Sequence, residues 1–167
     1  EFDEYGGGRA ERMHSRLYAD LLLAAGLKDD YLGYLDVVPA VTLATVNFMS
    51  LCGLHRAYTP MLVGMFAAAE ITTAPSARRM VEALERLGAD EACTLFYSEH
   101  IEADAVHELV LRHDVVGYLL EQDPTCAQDI SFGAQAIEFL EGRLGSHLLG
   151  SWAAGRTSLL TPIEAPA

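Results

Sequence analysis

In the stretch Ser98-Glu99-His100-Ile101-Glu102-Ala103-Asp104-Ala105-Val106-His107, two histidines and a carboxylate stand at i, i+4 and i+7. An α-helix carries His100, Asp104 and His107 along one face, two turns long. Two imidazoles and a carboxylate on one stripe suit an intermediate to hard divalent ion such as iron or manganese. The plainer alternative is a solvated helix face. Three donors make half a site, so the partners must come from other parts of the chain.

Outward from that stretch the chain reads as a succession of helices. Asp90 caps the helix that holds it, Glu91 to about Arg112. Upstream, Leu17, Leu21, Leu22 and Ala25 give Ala10 to Ala25 a helical period that ends at Gly26. Gly6-Gly7-Gly8 before it is poor helix and marks a break, bulge or linker. Asp29-Asp30 is expected to cap an element running to Val38 and stopped by Pro39. Ala40 to Gly53 is apolar on nearly all sides, the mark of a helix in the middle of a bundle. Its Thr42, Thr45, Asn47 and Ser50 argue against a membrane span.

Thr59-Pro60 opens a helix through Ile71, or the chain runs on with a kink, and Pro75-Ser76 starts a shorter helix closed by Gly88. After His113-Asp114 a short helix ends near Asp123-Pro124. The last helix runs from Pro124 to Ala154 with Ile130, Phe132, Ile137, Leu140, Leu144 and Leu148 as its buried stripe. No strand or repeat is expected. The fold class is all-α, with one domain over residues 1–157 and a flexible tail over 158–167.

Composition agrees. A chain of 167 residues, 51% of them hydrophobic, suits one domain with a sizeable core. The net charge of −13 repels nucleic-acid phosphates and anionic membranes, so neither is an expected partner. Cys52, Cys93 and Cys126 are odd in number and widely spaced, which suits free thiols in a reducing cytoplasm. They exclude a zinc ribbon or an iron–sulfur cluster.

Few residues can complete the half-site. Glu70 ends a run with no formal charge since Arg56, and a carboxylate in such surroundings costs several kcal/mol unless paired or bound to a cation. His14 sits on the first helix with two candidate acids. Glu11 lies one turn earlier, the Glu-x2-His spacing of carboxylate-bridged di-iron bundles, whereas Glu4 lies ten residues earlier across adjustable glycines. Spacing alone favours Glu11. Tyr18 and Tyr97 stand near the histidines as packing residues, with hydrogen bonding to a ligand as the other role. Glu99, Glu102 and Glu108 face away, either solvated or orienting Arg and His, while His55, His113 and His147 have no partner at ligand spacing.

Glu4-Tyr5-Gly6-Gly7-Gly8, the run to His14, Gly64 to Glu70, and Phe96 to Glu108 together resemble the haem-oxygenase-like di-iron oxidases and oxygenases, over nearly the whole chain. The resemblance implies a haem-oxygenase-like helical bundle in which one helix gives Glu and His, a second gives Glu, and a third gives His, Asp and His. It carries the metal set over to Glu4, His14, Glu70, His100, Asp104 and His107, replacing Glu11 by Glu4 because the N-oxygenating branch separates its first two ligands by ten residues. It implies two Fe(II)/Fe(III) ions with O2 as co-substrate. Three carboxylates leave two Fe(II) partly uncompensated, able to bind O2 reductively while positions stay open. The expected activity is oxidation of a small organic substrate, with N-oxygenation of an amine first and desaturation or C–C cleavage as alternatives of the same fold. A non-catalytic iron-binding or interaction subunit is the competing class. The family also carries chain upstream of the first ligand, so the N-terminal helices are expected in the rest of a longer protein or in a second chain. A homodimer is a further expected assembly.

Overall fold

A computed structural model describes residues 2–163, apart from the side chains of residues 102–106 and 108. Among the described residues every regular element is helical: α1 (His14–Ala24), α2 (Ala40–Leu54), α3 (Thr59–Arg86), α4 (Glu91–Val110), α5 (Tyr118–Gln122) and α6 (Ala127–Ala153). The fold is all-α, as expected from the Ala- and Leu-rich sequence. The chain divides into two compact units, one built from the chain up to Gly33 with Thr72–Val106, the other from Tyr34–Ile71 with His107–Ile163.

In the first unit α1 and α4 run antiparallel in a fixed register. His14 meets His100, Tyr18 meets Phe96, and the Leu21 carbonyl lies 3.9 Å from Cys93 Sγ, so each turn of one helix faces a turn of the other. Leu17, Ala77 and Cys93 are buried in this unit. The expected helix from Ala10 starts later. Residues Gly6–Gly8 and Ala10–Arg12 form two 3-10 turns instead, and α1 begins at His14. Gly6 makes this compaction possible. Its φ of +68° is left-handed, and a Cβ there would stand 2.6 Å from the Arg12 carbonyl carbon and 2.7 Å from the Met13 nitrogen.

In the second unit α3 and α6 cross with their backbones in direct approach. A Cβ on Gly64 would fall onto the Ile130 carbonyl, and one on Gly133 onto the Met61 carbonyl, so glycine on each helix admits the backbone of the other. Met65, Ile130 and Ile137 are buried at or next to this crossing. After α4 the helix does not stop at His113. It widens into a π-helical segment, Leu111–Gly117, and continues as α5. The stretch after α6 is tied to the unit by Leu160 N–H, which donates to the Val37 carbonyl (2.8 Å), and by Ser158 O, which accepts from His147 Nε2 (2.8 Å).

Four expectations about elements are corrected. Residues 31–38 form turns rather than a capped helix, because Leu32 takes a φ of 59° and the Gly33 N–H returns to the Asp30 carbonyl. One left-handed residue cannot sit inside a right-handed helix. Pro75 starts no new helix: α3 runs through it for 28 residues, its missing N–H costing one intrahelical bond rather than the element. Among the residues of α2 only Cys52 is buried, while Val46 and Leu54 are 56% and 80% exposed. A charge-free helix therefore does not lie in the middle of its unit. Phe132 leaves the buried stripe of α6, since two residues beyond Ile130 is about 200° around the helix; it is exposed.

Candidate metal centre

The α1–α4 register assembles part of the predicted set in the first unit. The 3-10 turns fold the chain back so that His14 N–H, the first donor of α1, bonds the Glu4 carbonyl at 3.1 Å. That contact brings the Glu4 carboxylate to 2.9 Å from His14 Nδ1. His14 is only 8% exposed, and its ring lies 4.4 Å, centroid to centroid, from that of His100. Glu11 is exposed on the second 3-10 turn and does not precede His14 on a common α-helix. The Glu-x2-His arithmetic behind Glu11 presupposed a continuous helix that is absent.

The nitrogen positions carry chemical information. His100 Nδ1 lies 2.6 Å from the Phe96 carbonyl, which can only accept, so Nδ1 is the protonated nitrogen and Nε2 keeps its lone pair. A backbone partner of this kind orients a metal-binding imidazole. His14 Nδ1 differs. The Glu4 oxygen approaches it outside hydrogen-bonding alignment, and the nitrogen is one of two buried polar side-chain atoms, with Thr45 Oγ1, that lack a hydrogen bond among the described residues. An unsatisfied buried polar atom costs about 1–3 kcal/mol. A cation shared by imidazole nitrogen and carboxylate oxygen would remove that cost, so this donor pair fits a metal.

Around these donors, Phe96 packs on His100 and on Tyr18, with centroid distances of 4.6 and 5.2 Å. Tyr18 thus packs on Phe96, but at 46% exposure it lies at the surface rather than in the core. Burial first, then the neighbouring Tyr18 and Cys93, pushes the Tyr97 hydroxyl above its ordinary pKa. Arg12 and Glu99 form an ion pair at 2.6 Å that ties the turn before His14 to the residue before His100. The sequence offered Glu99 as an orienter of arginine without identifying which one. The Phe96 carbonyl was not anticipated; its signal is the i−4 position relative to His100.

The second unit brings Glu70 of α3 to His107 at the end of α4, with Oε2 3.3 Å from Nδ1. Both side chains are about four-fifths buried. The carboxylate accepts, so the imidazole again carries hydrogen on Nδ1. Asp104 lies on α4, but its side chain falls outside the described residues. Among the described residues, no three His, Cys, Asp or Glu side chains are placed to hold one ion. The described donors are instead grouped within each unit, Glu4 with His14 and His100, and Glu70 with His107.

Helical folds with histidine–carboxylate clusters facing inward define a class of metal-dependent bundle proteins. The chain belongs to the family of iron-containing redox enzymes, which it matches over residues 1–142. It is also similar to a nitrosourea synthase of Streptomyces achromogenes subsp. streptozoticus, with 27% identity over 119 residues, 71% of this chain and 25% of that protein. The chain thus spans about a quarter of the length of that curated relative. No helix among the described residues is long and apolar enough to cross a membrane.

Proposed function

We propose that this chain is the O2-activating part of a non-haem di-iron oxidoreductase, with Glu4, His14, Glu70, His100, Asp104 and His107 holding two irons. The observation that carries the reading is the buried His14 Nδ1, which has no hydrogen bond and stands against the Glu4 carboxylate and the His100 ring. Bound iron would supply the one-electron chemistry that O2 requires. The chain supplies the rest. The Phe96 carbonyl holds the proton on His100 Nδ1, the Glu70 carboxylate does the same for His107, and α1 packed on α4 shields His14 from water. A small organic amine is the favoured substrate, oxidised at nitrogen. Its supports are the ten-residue interval from Glu4 to His14 and the similarity to a nitrosourea synthase, whose named product bears an oxidised nitrogen.

The test is iron content after anaerobic Fe(II) loading, followed by exposure to O2. We expect about two irons per chain and a transient visible absorption band. His14→Ala, Glu70→Ala and His107→Ala should each abolish loading, while Glu11→Ala leaves it nearly intact. Less than a few tenths of an iron per chain, or no optical change with O2, would sink the reading. If Glu11 is essential and Glu4 dispensable, the first carboxylate is misassigned. Substrate class is read separately, by mass spectrometry of amines turned over with O2: N-oxygenation adds one oxygen atom, whereas desaturation removes two hydrogens.

A further inference from the structure

Helix α6 has two faces with the same period. Ile130, Gly133, Ile137 and Ser151 are buried against the rest of its own unit. On the opposite side Phe132, Gln135, Phe139, Gly142, Ser146 and Leu149 recur at alternating steps of three and four, and all six are exposed. That is the spacing of a seam between two helices. The exposure is substantial, at 53% for Phe132, 62% for Phe139 and 66% for Leu149. No seam position carries a formal charge; Glu138 and Arg143 flank it, the Arg143 guanidinium lying 5.8 Å from the centroid of the Phe139 ring, and with Phe139, Gly142 and Ser146 they line a shallow groove.

We propose that this face is a homodimer interface in which α6 packs antiparallel on α6 of a second copy about a two-fold axis between Leu140 and Glu141. The argument is self-complementarity. In an antiparallel pair each layer sets one seam position against another. With this axis Phe139 meets the partner copy's Gly142, Gln135 meets Ser146, and Phe132 meets Leu149. Large is set against small, hydrogen-bonding polar against polar, and apolar against apolar. The flanks agree, since Glu138 meets Gly145 and Arg143 meets Ala136, so no like charges are opposed. Sliding the pair by one heptad step to an axis at Leu144 would instead place Arg143 against Arg143. The small residue set against Phe139 leaves a hole in the sense of open surface: a Cβ added at Gly142 or Gly145 would meet nothing within 4 Å. Phe132, Phe139 and Leu149 alone would remove roughly 700 Å² from water over both copies, most of the ~1,000 Å² at which specific interfaces begin.

Light scattering during size-exclusion chromatography of the 167-residue chain should give twice the 18.1 kDa chain mass. Gly142→Arg fills the hole and charges the seam in space that is open in the monomer, so it should return the mass to 18.1 kDa with unchanged helical circular dichroism. For orientation, Gln135→Cys and Ser146→Cys are made separately in a background with the three native cysteines changed to serine. Mixed and oxidised, they should form a covalent heterodimer, whereas neither should link to itself. A monomer at all concentrations, a dimer indifferent to Gly142→Arg, or self-linking by Gln135→Cys would each overturn the proposal. The first of these would leave the seam to a partner other than a second copy.

Discussion

Replacing Gly64 with alanine tests the crossing of α3 and α6 that carries Glu70. The added Cβ would fall onto the Ile130 carbonyl oxygen and stand 2.7 Å from its carbon, where ordinary contact starts near 3.4 Å. The obstacle is helix backbone and cannot rotate away, so the two helices must part by roughly 1 Å. Alanine recovers about 1 kcal/mol of helix propensity over glycine. Against this stand an overpacking cost of about 1–3 kcal/mol and lost contact around Met65 and Ile137. The net expectation is a loss of about 2 kcal/mol, or a Tm about 6 °C lower for a chain of this size. Gly133→Ala should behave alike, because its Cβ meets the Met61 carbonyl in the reciprocal position. The double variant should cost less than the two singles together, since the first separation makes room for the second. Gly150→Ala is the control on the same helix. Nothing lies within 4 Å of its Cβ, so Tm should rise by about 2 °C. Thermal unfolding followed by far-UV circular dichroism measures all four. A Tm for Gly64→Ala equal to or above that of the wild type would refute the close crossing.

Three further outcomes are expected. Gly6→Ala combines a left-handed φ with a clash against Arg12 and Met13, so it should displace Glu4 and lower iron loading severalfold, whereas Gly8→Ala, with open space but a φ of +86°, should lower it less; equal losses would detach Glu4 from Gly6. The raised Tyr97 pKa makes native stability fully present below the ordinary tyrosine value and lost as pH rises through the folded one. One of the seven tyrosines should therefore ionise late in an ultraviolet absorbance titration, and Tyr97→Phe should remove that phase. Asp123 is held below the usual carboxylate range by Thr125, whose N–H and hydroxyl it accepts at 3.0 and 2.6 Å. Its contribution is present above the ordinary aspartate pKa and fades as pH falls through the lowered one. Asp123→Ala should thus lower Tm near neutrality, with the difference closing in acid.

Helix-forming composition and helix-face spacing were legible, and they were sufficient for the all-α fold and for placing residues 100–107 on one helix. What spacing could not supply was the behaviour of backbone between regular elements. Leu32 gives no sign in the sequence of a left-handed φ, and Pro75 normally ends a helix that here continues. Apolarity misled in a different way. A charge-free α2 and an aromatic Phe132 both suggest burial, but burial needs a partner surface, and periodicity says only which residues share a face. On α6 the sequence holds two apolar stripes about 200° apart, and nothing in the pattern ranks one as core and the other as surface.

The competition between Glu4 and Glu11 shows the same limit at the candidate metal centre. An interval of three residues is decisive only if the residues share a helix, because only then does sequence distance translate into angle and rise. Here α1 starts at His14, and the preceding residues are wound into turns whose left-handed glycines shorten the path. The relation between Glu4 and His14 is fixed instead by one backbone hydrogen bond, His14 N–H to the Glu4 carbonyl. A helix's first N–H groups have no partner within the helix, and whichever residue satisfies them is held beside the first turn. Glu4 therefore reaches His14 by capping α1 with its carbonyl, which leaves its carboxylate free to face the imidazole. A ten-residue interval that makes little sense as three turns of helix is accounted for by a chain that folds back to close the end of one.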